Sequence, residues 1–279
     1  MRRIFLQIAY DGSGYCGFQE QREGASIEGC LNTALALLLP EERPAVTGAS
    51  RTDAGVHARG NAVMFDTVSR IPGERFSQAL NRYLPDDIRV LRSMEMPADF
   101  HVRFTPHTKR YEYRIDPGRI PDPLRVRYTY NYSFPLDLMR MQAAAERLLG
   151  THDFTSFVNP DSQVFQHGGD AVRTIYGIEV LRDGAVGKSV GNGAEDAGGT
   201  AEIVVRISGN GFLYHMIRII VGTLLEVGRG RRSPEDMDRV LEQRDRRAAG
   251  PTVPAKGLCL MALDYGEPSG PGAAAGPAE

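Results

Sequence analysis

Gly48-Ala49-Ser50-Arg51-Thr52-Asp53-Ala54-Gly55-Val56-His57-Ala58 is a short polar run between two β-like stretches, Ala45-Val46-Thr47 before it and Asn61-Ala62-Val63-Met64-Phe65-Asp66 after it. Glycines bracket its polar core, which places Arg51, Thr52 and Asp53 on a loop at the edge of a sheet. Loops held by a rigid scaffold are common places for reactive groups. A carboxylate there can act as a nucleophile if it is partly desolvated yet kept ionised by a cation. The bland alternative is a turn, because Asp-Ala-Gly suits one and such an aspartate often bonds its own backbone. On spacing alone the turn is the stronger reading.

Outward from the loop, the pattern alternates between sheet and helix periods. Ile4, Leu6 and Ile8 recur every second residue and end at Asp11-Gly12, a strand followed by a turn. Ser26 then opens a helix whose apolar positions are Ile27, Leu31, Ala34, Leu35 and Leu38, stopped by Pro40. A helix fits residues 74–83 and a strand residues 88–92. The stretch from Phe100 to Asp116, rich in aromatic and β-branched residues, reads as one long strand or a bent pair. A helix over 136–149 stops at Gly150. Strands come next at 172–181 and 201–207, then an apolar helix from Phe212 to Val227. Ser233-Pro234-Glu235-Asp236 opens another helix, with Ser233 as cap and Pro234 at its first position. Residues 257–265 are a final strand. Residues 183–200 form a Gly-rich insertion expected to be flexible, and the tail 266–279 is expected to be disordered. The irregular alternation predicts an α+β fold on an antiparallel or mixed sheet. The expected division is 1–106 for the half carrying the Asp53 loop and 107–265 for the half completing a cleft.

Composition excludes several classes. The longest apolar run falls well short of the roughly 20 residues that span a bilayer. Met1-Arg2-Arg3-Ile4-Phe5-Leu6 reads as a first strand rather than a secretion signal, which predicts a cytoplasmic protein without membrane attachment. Three widely spaced cysteines and six histidines offer no paired-ligand motif, so no metal and no cofactor are expected. The net charge of −2 gives no sign of nucleic-acid binding. The basic residues are almost all arginine, a bias that base composition explains, although arginine also suits phosphate recognition.

Two further residues need explaining. Arg218 lies in the apolar run Met216-Ile217-Arg218-Ile219-Ile220-Val221, where an unpaired guanidinium would be very costly, so a carboxylate partner is expected. Tyr111 shares a strand face with Tyr113, and core packing is the bland reading for both. His57 and His215 read as structural histidines.

Arg51-Thr52-Asp53-Ala54-Gly55-Val56-His57-Ala58 resembles the active-site motif of the TruA family of tRNA pseudouridine synthases. Further blocks match in order: Tyr10-Asp11-Gly12 with Tyr15, Gly17, Phe18 and Gln19; Phe100-His101-Val102-Arg103-Phe104; Lys109-Arg110-Tyr111-Glu112-Tyr113-Arg114; His152-Asp153-Phe154-Thr155-Ser156-Phe157; Val172-Arg173-Thr174-Ile175; and Gly211-Phe212-Leu213-Tyr214-His215-Met216-Ile217-Arg218. Residues 158–162 with the Gln- and Gly-containing stretch after them, the insertion and the tail have no recognised counterpart. Several ordered blocks displace the turn reading of Asp53.

The resemblance implies the pseudouridine synthase fold, with two similar halves around a central sheet, flanking helices and a catalytic cleft between them. It implies an isomerase that converts uridine to pseudouridine at positions 38, 39 and 40 of the tRNA anticodon arm, without a cofactor and as a homodimer. Asp53 would be the nucleophile. Tyr111 would stack on the uracil and help remove its C5 proton, and Arg218 would pair with Asp53. Arg51 would support the loop or meet the RNA backbone. Local density suggests Arg22, Arg59, Arg125, Arg127, Arg229, Arg231 and Arg232 for the basic face. The rival readings are a non-catalytic tRNA-binding protein or RNA chaperone, and an Asp-nucleophile hydrolase, which would want a second general base near Asp53.

Overall fold

A computed structural model describes residues 1–160, 162, 169–183 and 201–266. The expected insertion, beyond residue 183, and the tail, beyond residue 266, lie outside the described residues. Alternating apolar residues build β1 (Arg2–Tyr10), whose Ile4, Leu6, Ile8 and Tyr10 are buried. Ser26 caps α1 (Ile27–Leu38) by accepting from the Gly29 amide, and the helix buries Ile27, Leu31, Ala34 and Leu35. The chain continues through β2 (Thr47–Gly48), β3 (His57–Thr67), α2 (Phe76–Leu80) and β4 (Ile88–Met96). Then come β5 (Thr108–Asp116), β6 (Tyr130–Asn131), α3 (Leu138–Glu146), β7 (Gly150–Asp153) and β8 (Val172–Asp183). The last elements are β9 (Glu202–Gly209), α4 (Met216–Gly228), α5 (Asp236–Gln243) and β10 (Leu258–Asp264).

The strands form one mixed sheet in the order β4-β1-β3-β10-β5-β9-β8-β7, with β2 beside β3 and β6 beside β5. Neighbours on the main path are antiparallel except β3 and β10, which run parallel. That parallel pairing is the seam. Strands from the first hundred residues lie on one side of it and later strands on the other, with the C-terminal β10 inserted between them. The helices cover one face, where a continuous core runs from Ile4, Leu31 and Leu35 through Tyr113 and Ile207 to Met141, Ile220 and Leu224. The architecture is the expected α+β fold.

Several boundaries differ from the sequence expectation: β4 runs on to Met96 rather than residue 92, and the helix expected to open at Ser233 and Pro234 begins at Asp236, with Glu235 rather than Ser233 at its N-cap. Three others have a plain local reason. Residues 100–107 are not strand: Phe104 and Thr105 amides both bond the His101 carbonyl in a turn, and β5 starts only at Thr108. The apolar helix starts at Met216 rather than Phe212, because His215 takes a left-handed backbone (φ 65°) that cannot continue a helix backwards. The helix expected over residues 74–83 shortens to Phe76–Leu80, preceded by a tight turn at Gly73–Arg75.

Candidate active site

The loop after β2 is fastened at alternate residues. Ser50 and Thr52 are buried: the Asn61 amide donates to the Ser50 carbonyl (3.0 Å), and the Thr52 hydroxyl shares a hydrogen bond with Tyr10 Oη (2.7 Å). The Phe18 amide donates to the Thr52 carbonyl at 3.0 Å, where the chain passes so close that a Cβ on Gly17 would lie 3.0 Å from the same oxygen. Gly17 also has φ +117°, so two constraints demand glycine there. With Ser50 and Thr52 turned inward, Arg51 and Asp53 project the other way. Asp-Ala-Gly does form the expected turn, with the Val56 amide bonded to the Asp53 carbonyl at 3.1 Å and Gly55 at φ +76°. The Asp53 side chain takes no part in that turn.

It points instead to α4. Arg218 Nη1 stands 3.1 Å from Asp53 Oδ2, and both side chains are about one-seventh exposed. Arg218 is held from behind by its Nε, which donates to the Val253 carbonyl at 2.8 Å. That contact needs residues 250–253 to cross α4 closely. At Gly222 a Cβ would fall 1.8 Å from the Pro251 carbonyl oxygen, so only glycine allows the crossing. The carboxylate lies beside the first turn of α4, where the helix dipole also favours negative charge. The arginine that had to have a partner has one, and it is Asp53.

His215, expected from sequence to be structural, brings its Nε2 to 3.6 Å from Asp53 Oδ2. Its Nδ1 meets the Asn159 side-chain amide at 3.1 Å, and its ring stacks on Tyr214. Burial lowers its pKa below the usual imidazole value, partly countered by Asp53. Sequence gives no sign of the left-handed turn that aims this ring. His57, by contrast, is structural: its Nε2 donates to the Arg127 carbonyl at 3.0 Å, and its Nδ1 sits 3.1 Å from the Gly12 amide.

Tyr111, on β5, faces the same cleft. It is buried at 9% exposure, meets Phe212 edge-on with centroids 5.4 Å apart, and reaches Ser50 Oγ at 3.5 Å. Burial pushes its phenol up to about 12. The cleft encloses about 920 Å³ and is lined by Asp53, Tyr111, Phe212, Leu213, His215, Arg218 and Leu258, among others. Among the described residues its charged lining is lopsided: Arg51, Arg103, Lys109, Arg173 and Arg218 against the single carboxylate of Asp53. Arg51 is exposed and makes no hydrogen bond or ion pair among the described residues. None of the seven arginines picked by local density lines the cleft. Arg125 and Arg232 are instead committed to Glu202 and Glu226, and Arg229 lies 3.9 Å over the Phe134 ring.

A family model described as tRNA pseudouridine synthase matches residues 7–105 and 144–266. The chain is 44% identical over 258 residues to a tRNA pseudouridine synthase A of Halalkalibacterium halodurans, covering 92% of this chain and 90% of that protein. It is 42% identical over 265 residues to proteins of the same description from Anoxybacillus flavithermus, covering 95% and 99%, and from Brevibacillus brevis, covering 95% and 100%. Matches of this length and identity, over a cleft with this geometry, assign the chain: it belongs to the tRNA pseudouridine synthase family.

Proposed function

We propose that the chain isomerises uridine to pseudouridine at positions 38, 39 and 40 of the tRNA anticodon arm, with the Asp53 carboxylate as nucleophile. Family membership makes it a tRNA pseudouridine synthase; the target positions and the residue roles are our reading. The observation that carries it is the Asp53–Arg218 pair, 3.1 Å apart at the wall of a cleft that also holds Tyr111. A carboxylate so held is paired with a cation, aimed into the cleft and largely screened from bulk water.

The reaction breaks the N1–C1′ glycosidic bond, turns the uracil and joins its C5 to C1′; the C5 proton then leaves and N1 gains one. Asp53 can attack C1′ directly or assist elimination of the base to a glycal. Either route needs the base out of its stack, at a cost of a few kcal/mol. A stacking face such as Tyr111 returns about 1–3 kcal/mol. Its raised pKa keeps the hydroxyl protonated near neutral pH, so Tyr111 acts first as a platform and donor. Proton loss from C5 falls after C5 has bonded to C1′, when that hydrogen is acidified by the adjacent C4 carbonyl. Phe212, Leu213 and Leu258 supply apolar surface for the turning base. Arg51 lines the cleft and is exposed, which supports the reading that it meets the RNA backbone.

The working unit is proposed to be a cytoplasmic homodimer whose two copies share one tRNA, a reading that rests on the family resemblance and that sedimentation of the purified protein tests. For the chemistry the test is Asp53→Asn with tRNA tritiated at uridine C5. Binding is expected to persist while tritium release and the pseudouridine signal disappear. Substantial remaining release would remove Asp53 from its role. Release in the parent protein also separates this reading from a non-catalytic tRNA-binding protein, which would bind without releasing tritium.

A further inference from the structure

Lys109 and Tyr111 stand two residues apart on β5, so they project from the same face about 7 Å apart. Both reach the loop that carries Asp53. Tyr111 Oη approaches Ser50 Oγ, and Lys109 Nζ donates to the neighbouring Ala49 carbonyl at 3.1 Å. Arg103 is tied one residue earlier, its Nε donating to the Gly48 carbonyl at 2.7 Å. Two successive carbonyls of the catalytic loop thus orient two cations, leaving two N–H groups of Lys109 and the terminal nitrogens of Arg103 without a bond among the described residues.

These cations are poorly compensated. Neither Lys109, Arg103 nor Arg51 forms an ion pair among the described residues, and Arg173 at the rim already leans on the exposed Asp170 at 3.5 Å. Burial, then Arg51, Arg103 and Arg173, push the Lys109 ammonium down to about 8. Burial and Arg51 likewise lower the pKa of Arg103, partly countered by Glu28. Lys109 is half-buried while Arg51 and Arg103 are exposed, so the cost of crowding these like charges in the free protein falls mainly on Lys109, and an arriving anion reverses that cost. The protein's net charge is −2, so this is a local concentration against the general trend.

We infer that Lys109, Arg103 and Arg51 form a seat for one backbone phosphate next to the target uridine, at one nucleotide's reach from the Tyr111 platform. This rests on the reading that Tyr111 receives the flipped base. The ligand is an RNA phosphodiester: its single charge and bare oxygens match a lysine N–H and an arginine fork set side by side. Because the same loop aims these cations and carries Asp53, filling the seat registers the ribose C1′ against the nucleophile. The seat thereby links backbone binding to positioning.

The test uses full-length protein in the Asp53→Asn background, so that RNA is not consumed. Its ligand is an anticodon-arm RNA carrying one neutral methylphosphonate linkage, placed immediately 5′ or immediately 3′ of the target uridine. One of the two is expected to weaken binding at least fivefold in the parent and no more than twofold in Lys109→Met. The salt slope of binding is expected to fall by about one in the variant. Lys109→Met is expected to melt no lower than its parent; should it fail to fold, Lys109→Arg, which keeps the charge, must retain the linkage effect, and Arg103→Gln must lose it. Equal methylphosphonate losses in parent and variant at both linkages overturn the seat. Competition by inorganic phosphate without any linkage effect assigns the cluster to a free anion and overturns it equally. None of these binding outcomes depends on turnover, so failure here is distinct from failure of the Asp53 assignment.

Discussion

The two faces of β5 carry charge in opposite ways. On the face away from the cleft, Glu112 receives Arg114 and Arg206, Glu202 receives Arg114 at 2.9 Å and also Arg125, and Arg114 reaches Asp183. Each of these three arginines has a carboxylate. On the cleft face, Lys109 and its neighbours have backbone carbonyls and one another, and the sole carboxylate among the described lining residues, Asp53, is claimed by Arg218 and approached by His215. One strand, read at even and odd positions, therefore separates charges that complete the fold from charges that await a ligand. The back face is self-sufficient; the cleft face is not.

That contrast can be broken most severely at Arg218. Arg218→Gln leaves Asp53 partly buried without its cation, and single-turnover tritium release is expected to fall by about 10²- to 10³-fold, the scale for losing one preorganised electrostatic partner. Turnover within tenfold of the parent would mean that Arg218 does not hold the nucleophile. The matching change on the other face is Glu202→Ala. Glu202 is 4% exposed, and its removal strands Arg125 while Arg114 keeps Glu112 and Asp183. About 2–3 kcal/mol of stability is expected to go, below the full cost of breaking a buried pair because partners remain. Denaturant unfolding reads this loss, and kcat at a temperature where the variant is folded is expected to be unchanged. A drop in kcat without a drop in stability would erase the distinction between the faces.

Tyr111→Phe is a smaller change. The hydroxyl has one contact, the 3.5 Å approach to Ser50, so less than about 1 kcal/mol of stability is expected to be lost. Stacking remains, and turnover is expected to stay within about fivefold by single-turnover kinetics. A loss beyond a hundredfold would give the hydroxyl a proton-transfer role that its raised pKa does not suggest.

How much of the molecule is legible in its sequence depends on the range of each signal. The strand and helix of the first forty residues are local patterns, and Ile4, Leu6, Ile8, Leu31 and Leu35 are buried as their spacing requires. The demand of Arg218 for a carboxylate is also readable, because burial can be inferred from the apolar run around it. The cation cluster is not. Arg51, Arg103, Lys109 and Arg173 come from four separated segments, and β10 must insert between β3 and β5 before they converge. Local density points instead to Arg125 and Arg232, which serve carboxylates elsewhere. Strand-like composition likewise conceals the turn at residues 101–105.

His215 gives the smallest and most specific prediction. Its folded-state pKa is lowered by burial, so near neutrality it is uncharged beside an Asp53 already matched by Arg218. Acidification below about 6.5 protonates this imidazole in the unfolded chain first, so stability declines with falling pH until the lower folded-state value is passed. In the folded enzyme a proton on His215 places a second cation 3.6 Å from Oδ2, which blunts the nucleophile. Single-turnover rates are therefore expected to fall on the acid side, with a midpoint below the usual imidazole value, while tRNA affinity does not fall, since added positive charge in the cleft favours RNA. His215→Asn keeps a polar group near Asn159 and Asp53 but cannot take up a proton in this range. Its acid limb is expected to flatten, with only a severalfold change in rate at neutral pH. An unaltered acid limb in that variant would assign the titration to another group and return His215 to a purely structural place beneath Tyr214.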